Sequence, residues 1–182
     1  MMKSGKLLIA EPSVFGDQNF HRSIVIMVEN KESGFLGFIL NKPLAFEIND
    51  VLPEIKLSFP LYNGGPVEQD NLFFIHNAGH LIPKSTKIDD KLFWGGEFDK
   101  VVALVNDGML SHNDIRFFLG YSGWSDEQLK QEISAKSWVV VENSLDSKIL
   151  SHQPEGLWKD QMIALGGQYI IWSNTPENPY HN

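Results

Sequence analysis

Apolar residues in the first half of the chain occur in short runs that end at prolines, glycines or polar turn residues, a pattern typical of β-strands. Lys6–Ala10 predicts a buried strand, and residues 23–29, rich in β-branched side chains, predict a central one. A turn at residues 30–34 leads into a returning strand at residues 35–41, so the two predict a β-hairpin. Residues 71–76 predict a further strand.

Helical periodicity is clearest in the second half of the chain, where apolar residues recur every three to four positions. Residues 97–107 predict one helix. Residues 125–136 predict a second, in which Ser125 and Gln128 form a capping box at the start. Pro154–Leu165 predicts a third helix.

Short apolar runs between and after these helices predict strands at residues 91–94, 115–121, 137–141 and 169–172. Strands lead and helices come late, without the regular strand–helix alternation of a parallel α/β sheet. We therefore predict an α+β fold with a mixed, largely antiparallel sheet. We expect a single domain over residues 1–172 and a flexible C-terminal tail over residues 173–182, because that segment is polar and holds two prolines.

The charge of the chain argues against nucleic acid as a partner. Its 182 residues include 15 basic and 23 acidic side chains, so the formal net charge is 15 − 23 = −8. Arg22 and Arg116 are the only arginines. Because DNA binding draws its affinity from lysine and arginine placed against phosphates, direct DNA binding is not expected.

The absence of cysteine and of long apolar segments limits the possible reaction chemistry and the expected location of the protein. The sequence has no cysteine, which removes disulfides, thiolate nucleophiles and zinc–thiolate sites. Residues 1–10 lack the long apolar stretch of a signal peptide, and no apolar run approaches the ~20 residues of a membrane helix. We therefore expect a cytoplasmic protein without a membrane partner.

Motifs spread over nearly the whole chain occur together in the order of one known bacterial family. They are GKLLIAEP at residues 5–12, Asp17, Phe20, Arg22-Ser23, GFLGFILNKP at residues 34–43, Gly64-Gly65-Pro66-Val67, His76, FLGYSGW at residues 118–124, Gln128-Leu129, Glu132-Ile133, Trp138, Trp158 and Leu165-Gly166-Gly167. On these motifs the chain resembles the AlgH/YqgE family.

The resemblance implies an α+β fold in which a barrel-like mixed sheet is flanked by helices, about three by the count above. It implies no reaction and no cofactor, since the family has no established biochemical function. Some members are labelled transcriptional regulators. In this chain no predicted helix is basic and no helix-turn-helix pattern occurs, so the sequence does not support direct DNA binding as the meaning of that label.

A candidate ligand site comprises Arg22, Asn41 and the loop Gly64-Gly65-Pro66. Arg22 begins one strand of the predicted hairpin and Asn41 ends the other, so the two should be neighbours. A guanidinium, a side-chain amide and exposed backbone donors of the glycine loop would together suit an anionic group. The alternative is structural: Arg22 pairs with Asp17, Asn41 caps the turn, and the glycines form a tight turn.

Other candidate chemistry is weaker. His76 and His80 have the i, i+4 spacing of a metal pair on a helix, but they follow a predicted strand and lack a third ligand. Ser122 sits between a strand and a helix, as in a nucleophile elbow, but Trp124 occupies the position that needs glycine. Arg116 is expected to form an ion pair with nearby Asp114. We assign no catalytic residue, no metal ligand and no cofactor.

Two functions from different classes remain open. The first is a non-enzymatic cytoplasmic binding or regulatory protein that acts on a protein or small-molecule partner. The second is an enzyme whose active site has no recognisable motif. The absence of a metal cluster, a nucleophile motif and a nucleotide-binding loop favours the first. Trp124, Trp138 and Trp158 are interpreted as core packing.

Overall fold

The computed structural model of the chain describes residues 2–14, 16–31 and 34–177. The strands are β1 Lys6–Ala10, β2 Ile24–Lys31, β3 Gly34–Ile39, β4 Pro43–Glu47, β5 Pro60–Asn63, β6 Val67–His76, β7 Thr86–Lys87, β8 Phe93–Trp94, β9 Ile115–Trp124 and β10 Trp138–Glu142. The helices are α1 Ile48–Val51, α2 Phe98–Asn106, α3 Asp126–Ser134, α4 Pro154–Leu165 and α5 Gln168–Ser173. Short 3₁₀ turns lie at Pro12–Val14 and Asp146–Leu150.

The strands form one curled sheet in an α+β fold, as predicted. Its order is β10-β1-β2-β3-β9-β6-β8-β7, and every neighbouring pair in that order is antiparallel. β5 adds a parallel pairing to β9, and β4 pairs with β5. The predicted hairpin is present as β2 and β3.

Alternation along β1 divides the core between two helices. Leu7 and Ile9 pack in one buried cluster with Trp158 of α4, whereas Leu8 and Ala10 pack in another with Leu129 of α3. Successive strand residues point to opposite faces of a sheet, so β1 is buried on both sides. This arrangement fixes α3 and α4 on opposite faces of the same strand.

The three predicted helices are present as α2, α3 and α4, and α1 and α5 are additional short helices. α2, α3 and α4 have 9, 9 and 12 residues, while α1 and α5 have only 4 and 6. The predicted cap of α3 is present, because the Ser125 hydroxyl accepts the Gln128 amide at 3.1 Å. In the described ranges no helix combines the length and apolar character needed to cross a bilayer.

The strand predicted at residues 169–172 is wrong, because this segment is helix α5. Gly166 and Gly167, with φ of 73° and 56°, end α4 and turn the chain directly into α5. Tyr169 and Trp172 then lie three residues apart on one helical face, with ring centroids 5.7 Å apart. A four-residue apolar run fits a strand or a short helix equally well, and here the neighbouring turn decides.

Three strands were missed: β4, β5 and the two-residue β7. β4 and β5 both contain proline, which is uncommon within strands. Pro43, two residues beyond the predicted strand at 35–41, begins β4. Proline is tolerated at a strand start because its missing N–H is not needed there.

Residues 173–177, assigned to the tail, contact the body of the protein. Ser173 is buried, and the Thr175 and Glu177 carbonyls bond to the Arg22 and His21 side chains. Residues 178–182 of the predicted tail lie outside the described ranges. The domain boundary at residue 172 stays a prediction.

Candidate functional site

Arg22 and Asn41 are neighbours, as the hairpin requires. The Asn41 amide nitrogen donates to the Arg22 carbonyl at 2.8 Å, and the Asn41 Oδ1 atom accepts the Ile24 amide at 2.9 Å. Arg22 has φ of 52°, in the left-handed region that non-glycine residues rarely adopt. The Asn41 side chain therefore holds a strained backbone corner, and both of its polar atoms have intramolecular partners.

The glycine loop is also engaged with the scaffold. The Gly64 amide donates to the Leu119 carbonyl at 2.8 Å, and the Gly65 amide donates to Asn63 Oδ1 at 3.0 Å. Both glycines are buried, so the donors expected to face a ligand are already used. Pro66 is exposed and lines a different cavity from that of Arg22.

The Arg22 guanidinium reaches the C-terminal segment. Its Nη2 atom donates to the Thr175 carbonyl at 2.6 Å, and its carbon lies 4.7 Å from the centre of the Trp158 ring. Beside it, Lys42 Nζ donates to the His21 carbonyl at 2.6 Å, and burial lowers the pKa of Lys42. This basic corner borders a cavity of about 320 Å³, which the C-terminal segment partly covers.

A larger cavity lies on the other side of the loop that precedes β2. It has a volume of about 440 Å³, and we call it the indole cavity. Its walls come from the first 3₁₀ turn and the loop after it, the glycine loop, the end of β9, α3 and the start of β10. The lining residues are Ser13, Val14, Asp17, Phe20, Pro66, Gly123, Trp124, Gln128, Glu132, Ser137 and Trp138.

Three aromatic rings form one wall of the indole cavity. Phe20 lies 5.8 Å from Trp124 and 5.4 Å from Trp138 between ring centroids, and the two indoles are 5.9 Å apart and perpendicular. Both indoles are almost fully buried. Phe20 with Trp138 and the two indoles with each other are edge-to-face, while Phe20 and Trp124 are tilted by 40°, so the three rings support one another in a fixed arrangement.

Glu132 joins the two indoles. Its Oε2 atom accepts Trp124 Nε1 at 2.9 Å and Trp138 Nε1 at 2.7 Å, while its Oε1 atom accepts Gln128 Nε2 at 2.9 Å. Glu132 and Gln128 lie four apart on α3, the spacing at which helical side chains meet. The carboxylate thus ties α3 to the ends of β9 and β10.

Asp17 supplies a second carboxylate at the mouth of the indole cavity. Its Oδ1 atom accepts the Asn19 and Phe20 amides at 2.9 and 3.1 Å, which forms a turn that presents the Phe20 ring. Asp17 is therefore engaged with its own turn, whereas Arg22 faces the C-terminal segment. No lysine, arginine or histidine lines the cavity within the described part of the chain.

The remaining candidates serve the scaffold. His76 is fully buried: its Nδ1 atom accepts the Ala78 amide at 3.2 Å and its Nε2 atom donates to the Gly95 carbonyl at 3.0 Å. His80 is exposed, and no group of three metal-ligating side chains occurs among the described residues. The Ser122 hydroxyl is buried and donates to a glycine-loop carbonyl at 3.1 Å, which occupies it structurally.

The expected ion pair between Arg116 and Asp114 does not form. The Asp114 carboxylate accepts the Ser111 amide and hydroxyl at 2.8 and 2.7 Å and the Asn77 amide at 3.2 Å. Arg116 points instead into the protein, where it is 5 % exposed. Asp114 precedes β9 and closes its own turn, so proximity in sequence did not bring the charges together.

Comparison with known proteins agrees with this fold. The AlgH-like family model matches residues 7–170. The chain belongs to this family. A UPF0301 protein of Cytophaga hutchinsonii is 41% identical over 185 residues and covers 100% of both chains. A UPF0301 protein of Chlorobium phaeobacteroides is 42% identical and covers 98% of this chain and 95% of its own.

Two solved structures share the fold of this AlgH-like chain. The solution structure of the AlgH protein from Pseudomonas aeruginosa has a TM-score of 0.72 at 25% identity, covering 97% of this chain and 98% of that one. A crystal structure of a Corynebacterium diphtheriae protein has a TM-score of 0.77 at 23% identity, covering 96% and 93%. The names of these relatives specify no reaction and no ligand.

The indole cavity was not identified from the sequence of this AlgH-like chain. Trp124 and Trp138 were interpreted as core packing, which is correct for their rings but incomplete. Asp17 and Glu132 were given no site role. The sequence did contain an indication of this site. Most of the lining residues belong to the scattered motifs that carry the family resemblance, and those residues meet at one cavity.

Proposed function

We propose that this protein is a non-enzymatic binding protein of the cytoplasm, and that the indole cavity receives a small organic cation. The ligand would be an amine or quaternary ammonium that carries an apolar group. The main support is the composition of the lining: three aromatic rings and two carboxylates, without a basic side chain among the described residues. Such surfaces attract cations through the negative ring faces and the carboxylate charges.

The size of the indole cavity suits this ligand class. Its volume of about 440 Å³ lies in the range of roughly 300–1,000 Å³ typical of small-molecule sites. The mutually packed rings are rigid before binding, so little side-chain entropy is lost when a ligand covers them. A cation over an aromatic face gains about 0.5–2 kcal/mol, the larger value where water is excluded.

The two carboxylates add charge selectivity. Glu132 is half-buried and held by three N–H donors, so its position is fixed. Asp17 is exposed at the mouth, where solvent screens it, and a cation about 4 Å away would gain about 1 kcal/mol. Loss of the Asp17 charge should therefore weaken cation binding roughly fivefold.

A titration followed by the indole N–H resonances tests the proposal. Choline is compared with 3,3-dimethylbutan-1-ol, which has nearly the same shape but no charge. We expect choline to shift the Trp124 and Trp138 signals and to bind about tenfold tighter than the neutral alcohol. Asp17→Asn keeps the turn-forming oxygen and removes the charge, so it should lower choline affinity selectively.

The matched control is Asp70→Asn, which makes the same charge change at an exposed residue outside the cavity. It should leave choline affinity unchanged. Unmoved indole signals at choline concentrations up to about 10 mM would refute cation binding. Equal affinity for choline and the neutral alcohol would refute charge recognition.

A further inference from the structure

Arg116 is a buried cation held only by neutral groups. Its Nη1 atom donates to the Leu40 carbonyl at 2.7 Å, and its Nη2 atom donates to the Leu150 and His152 carbonyls at 2.7 and 2.9 Å. The guanidinium carbon lies 4.4 Å from the centre of the Tyr62 ring. These contacts tie the end of β3 to the segment before α4.

No carboxylate of the described residues lies within ion-pair distance of this guanidinium. Burial lowers the pKa of Arg116, yet arginine stays protonated in proteins. Carbonyl dipoles and the Tyr62 ring offset part of the desolvation cost, but they leave the net charge in place. An uncompensated buried charge is costly, and structures usually pair it with an anion.

Arg116 also lines a cavity of about 220 Å³. The polar side chains of Tyr62, His112, Asn113 and Ser151 also line it. No acidic residue of the described ranges belongs to the lining. The pocket is therefore polar, small and open to solvent on one side, with an unneutralised cation in its wall.

The rim of the cavity includes the ring of His112 and the first residue of α4. His112 Nε2 donates to the Ser58 carbonyl at 2.7 Å, and the ring packs edge-on against Phe59 at 4.5 Å. These two contacts fix the imidazole, and its Nε2–H is used by the scaffold. Pro154, the first residue of α4, also lines the cavity, and this helix has no side-chain cap. The first turn of α4 also carries Glu155, whose carboxylate offsets the partial positive charge of this helix N-terminus, so Arg116 is the charged group of the site.

We propose that this cavity binds a compact oxyanion, a phosphate or a small carboxylate, with Arg116 as the charged anchor and the Asn113 amide as a rim contact. The anion would supply the counter-charge that the fold does not. The indole cavity shares no lining residue with this one. The inference therefore stands whether or not the indole cavity binds a cation.

Asn113→Asp is the informative variant. Removing Arg116 would leave three carbonyls without their hydrogen-bond donor and destabilise the fold, so loss of binding in that variant would be ambiguous. Asn113 is exposed, and an aspartate there places an intramolecular carboxylate at the rim. The new charge should pair with the guanidinium and exclude an external anion. We expect anion affinity at least tenfold weaker and a melting temperature equal to or above that of the parent protein.

The measurement is calorimetric titration of the full chain with inorganic phosphate and with acetate, at ionic strength matched with chloride. The anion that binds more tightly identifies the ligand class. Amide NMR shifts at His112, Asn113 and Ser151, with the Trp124 indole signal unmoved, would locate binding at this cavity. Gln69→Glu makes the same charge change at an exposed residue outside the cavity and should retain affinity.

Two results would overturn the inference. One is no saturable binding of either anion by the parent protein. The other is equal weakening by Asn113→Asp and Gln69→Glu, which would show that only the overall charge matters. Selective loss in Asn113→Asp supports an anion site at Arg116.

Discussion

Replacement of Glu132 by alanine should destabilise the protein, because it removes the hydrogen-bond acceptor of two buried indole N–H groups. Glu132 Oε2 accepts the N–H groups of Trp124 and Trp138, whose side chains are 5 % and 4 % exposed. Hydrogen bonds to charged groups contribute about 1.5–3 kcal/mol each, and a buried donor without a partner costs about 1–3 kcal/mol. The adjacent cavity admits water, which can replace part of each bond, so we expect a total loss of about 2–4 kcal/mol.

Two further variants distinguish the loss of the indole hydrogen bonds from a general effect of mutating α3. Glu132→Gln keeps one oxygen that can accept both indole N–H groups, so its cost should be about 1 kcal/mol or less. Glu127→Ala removes an exposed carboxylate on the same helix, which accepts a hydrogen bond from Gln131, and should change stability by no more than about 0.5 kcal/mol.

Urea unfolding at pH 7, followed by tryptophan fluorescence and circular dichroism, measures these differences. The thermal shift should be about 2–4 °C for each kcal/mol in a chain of this size. If Glu132→Ala unfolds within about 1 kcal/mol of Glu127→Ala, the indoles do not depend on the carboxylate. The role of the Glu132 carboxylate would then be in ligand binding and not in stability.

Three further changes test the scaffold around the candidate sites. Gly64→Ala should cost about 2 kcal/mol or more by urea unfolding, because the added methyl would clash with the Gly120 carbonyl; loss under about 0.5 kcal/mol would refute this close approach. Asn41→Ala should cost about 1–3 kcal/mol by the same assay, since it releases two backbone hydrogen bonds, and an unchanged midpoint would contradict that role. Burial lowers the pKa of His76, so the native state resists protonation of this residue. The free energy of unfolding should therefore fall as the pH drops below about 6.5, by at most about 1.4 kcal/mol per pH unit for this group. His76→Gln should make the dependence of stability on pH less steep. An unchanged pH slope in His76→Gln would assign the dependence to other groups, such as His21, whose pKa burial also lowers.

Local signals in the sequence were sufficient for much of the fold. Lys6–Ala10 and Pro154–Leu165 begin and end as predicted, and the cap of α3 at Ser125 is in place. These features depend on interactions between residues a few positions apart, such as capping, periodicity and turn formation. The segment at 169–172 failed because a short apolar run carries no periodicity strong enough to decide between strand and helix.

The candidate sites depended on contacts that no local pattern encodes. The sequence placed Arg22 beside Asn41 correctly, yet it could not show that the Asn41 amide is used by the backbone. Arg116 was matched to a carboxylate two residues away, whereas packing directs it to carbonyls 34, 36 and 76 positions distant.

The sequence by itself determined the family, the predominantly antiparallel α+β fold and the absence of cysteine chemistry, because each can be read from residue type and short-range order. Only the tertiary structure decided which polar groups remain available for a ligand. Asp17 and Glu132 lie 115 positions apart and meet at one cavity because the loop before β2 packs against β9, α3 and β10. A side chain's hydrogen-bond partners are selected by burial and close packing across the whole sheet, and that selection separates an available charge from a scaffold contact.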